Sequence, residues 1–242
     1  MISIRRAATR GSIHSGATEL FCYFSFATCL DPEHGHDGRL RAVNAGHIPA
    51  GQHYTLGAEQ DMDILTWVEY GTLSATTEGY EPQTLSAGGL HAVSTATGCR
   101  SLDWHAGSET TFFQFWILPD TEGGDPAQEI RPAPAQPDDD GFRILASGFP
   151  EDDPEESGSV TDGAPVVLRA RARLLHAAIR QAEGAAYRTT ARRALYLVVV
   201  TGEVRIGSER LGAGDAAALD NEDSLTVVAE KASVVLLTDV AL

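Results

Sequence analysis

Two pairs of positions in this chain carry the spacing that a β-barrel site needs. Gly51-Gln-His-Tyr-Thr-Leu-Gly-Ala-Glu59 sets Gly57 and Glu59 two residues apart, and Gly98-Cys-Arg-Ser-Leu-Asp103 sets Ser101 and Asp103 apart by the same step. Residues two apart in a strand project to one face. If both pairs face the interior of one small barrel they converge, and Glu59 meets Asp103. Two close, partly desolvated carboxylates repel one another and at least one retains its proton, which is the arrangement of acid–base catalysis and also of an ordinary buried acid pair. The same parity adds His53 to the first face and His105 to the second, provided no bulge intervenes. His91, on the strand before the second stretch, completes the candidate pocket of His53, Gly57, Glu59, His91, Ser101, Asp103 and His105, with Glu59 and Asp103 as its catalytic candidates.

The elements that would position these residues read as strands. Ile64 to Val68 is an apolar run of the kind that pairs inside a sheet, and Gly71 follows as a hairpin turn. Leu85–Val93 and Thr111–Leu118 read as further strands, the latter too aromatic to be anything but core. Trp67-Val-Glu-Tyr-Gly-Thr-Leu-Ser followed by Leu85-Ser-Ala-Gly-Gly is echoed by Val198-Val-Val-Thr-Gly-Glu-Val-Arg followed by Leu211-Gly-Ala-Gly-Asp215. Such an echo is what two stacked jelly-roll barrels would write into a sequence. The expected fold is all-β, with an N-terminal barrel over 1–120, an acidic, proline-rich connecting segment over 121–165 and a C-terminal barrel over 166–242. The C-terminal copy has no histidine after His176 and offers no imidazole site.

The text Phe24-Ser-Phe-Ala27, Asp31-Pro-Glu-His34, Leu40-Arg-Ala-Val-Asn44, Asp61-Met-Asp-Ile-Leu-Thr66 and Trp116-Ile-Leu-Pro119 resembles the pirin family of bicupins. The resemblance runs from Met1 to about Pro119 and resumes in the last 75 or so residues. It implies two stacked cupin jelly rolls (double-stranded β-helices) of the RmlC-like type. It also implies an iron site built from His-Pro-His-x-Asp-Met-Glu and a later Gly-x-x-His-x-Glu. This sequence departs from that pattern at each ligand: Gly57, Glu59 and Ser101 stand where the three imidazoles would be, and Asp103 replaces the glutamate. A mid-row transition ion is held by imidazole or thiolate, whereas carboxylates and a hydroxyl suit hard, weakly held cations. The expectation is a degenerate metal site with no resident metal or other cofactor, the alternative being a weakly bound divalent metal at a rearranged site.

Other chemistry-bearing residues have plain readings. Cys22 and Cys99 read as buried thiols. His34 and His36 read as solvated loop histidines. Arg169-Ala-Arg-Ala-Arg173 reads as three guanidiniums on one strand face, paired with the acidic segment before them.

A formal charge of −16 and a pI near 4.8 argue against nucleic acid and anionic membrane surfaces as partners. Three cysteines form no disulfide framework, and Met1-Ile-Ser-Ile-Arg-Arg has no apolar signal core, so the expected location is cytoplasmic. The expected role is a non-catalytic, regulatory module that binds a partner protein or a small-molecule ligand in the N-terminal barrel. The alternative is an enzyme: a flavonol (quercetin) 2,3-dioxygenase-like activity with a rearranged metal site, or metal-free acid–base catalysis by Glu59 and Asp103.

Overall fold

The two halves of the chain fold alike because the same glycine corner organises each; the hairpin expected at Gly71 is not formed, since the strands on its two sides lie in different sheets. Strand Asp63–Tyr70 turns at Gly71 into Thr72–Thr77, and strand Arg193–Thr201 turns at Gly202 into Glu203–Ile206. Both glycines hold a positive φ, 89° and 82°. A Cβ at either would run into a backbone carbonyl, that of Glu109 or of Ala232, so only glycine fits. The computed structural model describes residues 2–36, 38–134, 141–152, 165–190 and 192–242. The acidic residues 138–140 and 153–156 lie outside them.

Each half pairs a seven-stranded sheet with a four-stranded one. The N-terminal large sheet runs Ala127–Arg131, Leu90–Ser94, Asp63–Tyr70, Thr110–Ile117, Leu40–Ile48, Thr18–Cys22, Gly11–Ser15. The C-terminal one runs Ile2–Arg5, Ala216–Asp220, Arg193–Thr201, Ser233–Ala241, Ala172–Ile179, Arg143–Ser147, Val166–Val167. The two orders match strand for strand, except that the last pair is antiparallel in the N-terminal sheet and parallel in the C-terminal one.

Three apolar clusters hold this together. One fills the N-terminal barrel around Leu20, Ile64, Trp104 and Phe112. A second fills the C-terminal barrel around Leu175, Leu195, Leu225 and Leu237. The third lies between the two large sheets, where Val43, Leu65 and Phe115 meet Leu174, Tyr196 and Leu236. A strand such as Asp63–Tyr70 is therefore buried on both faces, one row of side chains entering the barrel and the other the joint. That double burial is why its sequence is a continuous apolar run rather than an alternating one.

Several expectations need correction. Strand Ile2–Arg5 pairs with Ala216–Asp220 and so lies in the C-terminal sheet, not with the first 120 residues. The stretch expected to be a connector supplies Ala127–Arg131 to the N-terminal sheet, and its Phe142–Leu145 run, which the sequence allows as a short strand returning to a barrel, forms Arg143–Ser147 in the C-terminal sheet. Of the three arginines read as one stripe, only Arg173 lies within a strand. Arg171 pairs with Asp120 at 3.3 Å, and Arg173 with Asp152 at 2.5 Å. His34 is not simply solvated: its Nδ1 lies 2.9 Å from an Arg5 guanidinium nitrogen, which ties its loop to the exchanged N-terminal strand. Among the described residues no helix is long and apolar enough to cross a membrane.

Candidate functional site

The strands carrying the two sequence pairs lie side by side in the four-stranded sheet. His53–Leu56 pairs antiparallel with Leu102–Ala106, so that Leu56 faces Leu102, Thr55 faces Asp103, Tyr54 faces Trp104 and His53 faces His105. Tyr54 and Trp104 are buried and stack at 5.4 Å between ring centroids, which fixes the inner face. Alternation then turns His53, Thr55, Asp103 and His105 to the outer face. There Asp103 accepts a hydrogen bond from the Thr55 hydroxyl at 2.6 Å, and its other oxygen lies 3.1 Å from His53 Nδ1. The rings of His53 and His105 sit 4.6 Å apart. The expected entry of these three residues into the barrel is thus reversed.

The cause is local. Cys99 is buried and Leu102 is buried, with Arg100 and Ser101 both exposed between them, and two successive outward residues shift the parity of everything after. Glu59 remains with the preceding segment. Its amide donates to the Cys99 carbonyl at 2.9 Å, and the Cys99 amide donates back at 2.8 Å. Glu59 is half-buried, and burial alone raises its carboxyl above the usual range, with no second carboxylate contributing. The acid pair Glu59–Asp103 is therefore not formed.

This donor set does not fit the iron centre that the fold family implies. Gly57 has no donor, and the space its side chain would fill is open. Ser101 is an exposed hydroxyl and Asp103 is engaged outside, which leaves Glu59 alone. Among the described residues no three or more His, Cys, Asp or Glu side chains are grouped to hold a metal ion.

His91 does face the barrel interior, but both ring nitrogens are used. Trp104 Nε1 donates to His91 Nδ1 at 3.1 Å, which assigns the proton to Nε2, 3.1 Å from Gln128 Oε1. Burial pushes its pKa down to about 4, so it is neutral at pH 7.

Sequence reasoning missed the row to which His91 belongs. Register places Cys22 beside Asn44, Asn44 beside Gln114, Gln114 beside Thr66 and Thr66 beside His91, one polar rung across the inner face of the large sheet. All five are buried. Gln114 donates to Thr66 at 3.1 Å and accepts from Trp116 Nε1 at 3.3 Å. Neither amide atom of Asn44 has a partner among the described residues, nor has the Tyr54 hydroxyl. Burial raises the Tyr54 phenol, and the neighbouring Cys22 and Glu59 add to the effect. The available signal was a polar residue in the apolar middle of each core strand: Asn44, Thr66 and Gln114. Cys22 and Cys99 are buried, and burial with Cys29 nearby pushes the Cys22 thiol up to about 12, which makes it inert.

Comparison with known proteins matches this architecture. The family model of the quercetinase C-terminal cupin domain matches residues 158–240. A pirin-like protein of Caulobacter vibrioides is 32% identical over 221 residues, spanning 90% of this chain and 90% of that one. The quercetin 2,3-dioxygenase of Escherichia coli K12 is 28% identical over 241 residues, spanning 99% and 98%. The crystal structure of bacterial pirin YhhW from Escherichia coli in complex with nickel(II) superposes with a TM-score of 0.84 at 28% identity, covering 100% of this chain and 99% of that one. With its paired jelly rolls and full-length relatives, the chain belongs to the pirin family of bicupins.

Proposed function

We propose that this pirin-family protein has given up the family's iron centre and works as a non-catalytic module that binds a small molecule or a partner protein through its N-terminal barrel. One observation carries the reading: of the four positions where the family holds iron, Gly57 has no donor, Ser101 and Asp103 face outward, and Glu59 is left as a single half-buried carboxylate. A lone half-buried carboxylate cannot hold a transition ion against water. The unpartnered Asn44 amide and Tyr54 hydroxyl supply hydrogen-bonding capacity inside the same barrel. The test is oxygen uptake with quercetin after reconstitution with Fe(II) or Ni(II). The expected result is no turnover above the protein-free rate.

The second reading is a flavonol 2,3-dioxygenase, favoured by the name of the 28% identical Escherichia coli relative. It requires turnover that depends on added metal and falls when Glu59 is replaced by Gln. The metal-free acid–base version loses its geometric support, since the outward-facing Asp103 is bound to His53 and Thr55.

A further inference from the structure

We propose that the outer face of the N-terminal four-stranded sheet carries an exchangeable site for a divalent transition ion such as Ni(II) or Zn(II), chelated by His53 and His105. The Ala106 amide donates to the Gln52 carbonyl at 2.9 Å, which makes that a hydrogen-bonded rung. By antiparallel alternation the next rung, His53 opposite His105, has no backbone hydrogen bonds between its members, and there facing side chains come closest. The two ring centroids lie 4.6 Å apart. Imidazoles sharing one ion at adjacent coordination positions have centroids roughly 4.5–5 Å apart, given metal–nitrogen bonds of about 2.0–2.1 Å. The pair is already spaced for a chelate.

Asp103 prepares the pair. Its Oδ1 lies 3.1 Å from His53 Nδ1, and its Oδ2 accepts from the Thr55 hydroxyl at 2.6 Å. A carboxylate only accepts, so in the neutral ring Nδ1 carries the proton and Nε2 keeps its lone pair. A carboxylate behind a histidine in this way fixes the tautomer and makes the ligating nitrogen more basic. Neither His53 Nε2 nor either ring nitrogen of His105 has a protein partner among the described residues. The His53 side chain is 58% exposed, so an ion reaches it directly. The four strands of this sheet contain no lysine or arginine, and no fixed charge on them opposes a cation. Imidazole donors favour nickel, copper or zinc over magnesium or calcium. Among the described residues no third His, Cys, Asp or Glu side chain is grouped with these two to hold the ion, so water completes its coordination. Two nitrogens on an open face hold an ion more weakly than an enclosed four-ligand centre, so it exchanges and is lost on desalting. The site lies on the opposite face of the sheet from the barrel interior and stands whether or not that interior binds a ligand.

The experiment is calorimetric titration of the full chain with Ni(II) at pH 7, with Mg(II) as the control for the chain's negative charge. Saturable binding of Ni(II) is expected, with none of Mg(II). His53→Ala and His105→Ala should each weaken it by about tenfold or more, and the double variant should add little, because a chelate is lost when either end is cut. Asp103→Ala should weaken binding about tenfold, and Asp103→Asn, which keeps an acceptor for the Nδ1 proton, should restore part of that loss. Glu59→Gln should leave the titration unchanged. No saturable Ni(II) binding, equal binding of Mg(II), full affinity in either histidine variant, or losses that multiply in the double variant would each overturn the proposal. So would loss of binding in Glu59→Gln, which would place the ion in the barrel and count against the metal-free reading as well.

Discussion

At equivalent rungs the two barrels have opposite chemistry. Counted back from the corner glycines Gly71 and Gly202, Thr66 corresponds to Leu197. The N-terminal rung is then Asn44, Gln114, Thr66 and His91, and the C-terminal rung is Leu175, Leu237, Leu197 and Ala217. On the neighbouring rung the contrast inverts. Ala42 and Trp116 in the N-terminal barrel correspond to Arg173 and Asp239 in the C-terminal one. Trp116 packs on Phe26 at 5.0 Å. Asp239, fully buried, accepts hydrogen bonds from Tyr187 at 2.5 Å and Arg193 at 3.0 Å, while Arg173 grips both oxygens of Asp152. The Arg193 guanidinium lies 3.8 Å from the centroid of the Phe149 ring. The C-terminal polar groups thus pin Phe149–Asp152, yet Asp239 Oδ1 is left without a partner among the described residues. In the N-terminal barrel the atoms left without a partner among the described residues belong to uncharged groups, the Asn44 amide and the Tyr54 hydroxyl.

The largest expected effect breaks the C-terminal side of this contrast. Arg173→Met removes one arm from a buried ion cluster and should cost about 3–5 kcal/mol in urea unfolding. A loss below about 1 kcal/mol would mean that the cluster is not what fixes the turn.

A smaller effect comes from His91. Its folded pKa is depressed to about 4, so between that value and the unfolded value near 6.5 the unfolded chain binds the proton and the folded one does not. The resulting stability is complete above pH 6.5 and is lost as pH falls toward 4. From this residue alone the protein should be about 2 kcal/mol less stable at pH 5 than at pH 7. His91→Gln should flatten that portion of the pH profile, and an unchanged slope would refute the assignment of a neutral interior histidine.

Smaller again, Asn44→Leu copies the C-terminal rung into the N-terminal barrel. Replacing an amide that has no partner by an apolar side chain should stabilise by about 1 kcal/mol. Destabilisation would show that Asn44 is satisfied in solution. The smallest effect belongs to the outer face: His53→Ala should change stability by no more than about 0.5 kcal/mol, read in the same unfolding experiment.

What was legible in the sequence follows from where the physics is local. The glycine turns and the doubly buried runs announce themselves because steric clash and burial on both faces constrain residue type directly, although the turn at Gly71 joins two sheets and not the two strands of a hairpin. The pirin resemblance correctly gave two cupin jelly rolls. The site was harder, since it depends on strand parity, and parity depends on whether Arg100 and Ser101 both turn outward. No residue type in Cys99–Leu102 forces that irregularity, so Asp103 and His105 were assigned to the wrong face. His91 was placed among the pocket residues, but its two hydrogen-bond partners, Trp104 and Gln128, are distant in sequence and could not be read from spacing. Strand Ile2–Arg5 was misplaced for a similar reason, because a short edge strand carries nothing that names its partner sheet.

The measurement that bears most directly on the loss of the iron centre is the metal content of the purified protein. Elemental analysis of the wild type and of Glu59→Gln after exposure to Fe(II) and Ni(II), followed by desalting, should find well below one ion per chain in both. Near-stoichiometric iron or nickel in the wild type, lost in Glu59→Gln, would contradict the account and restore the N-terminal barrel as a metal-dependent catalytic site.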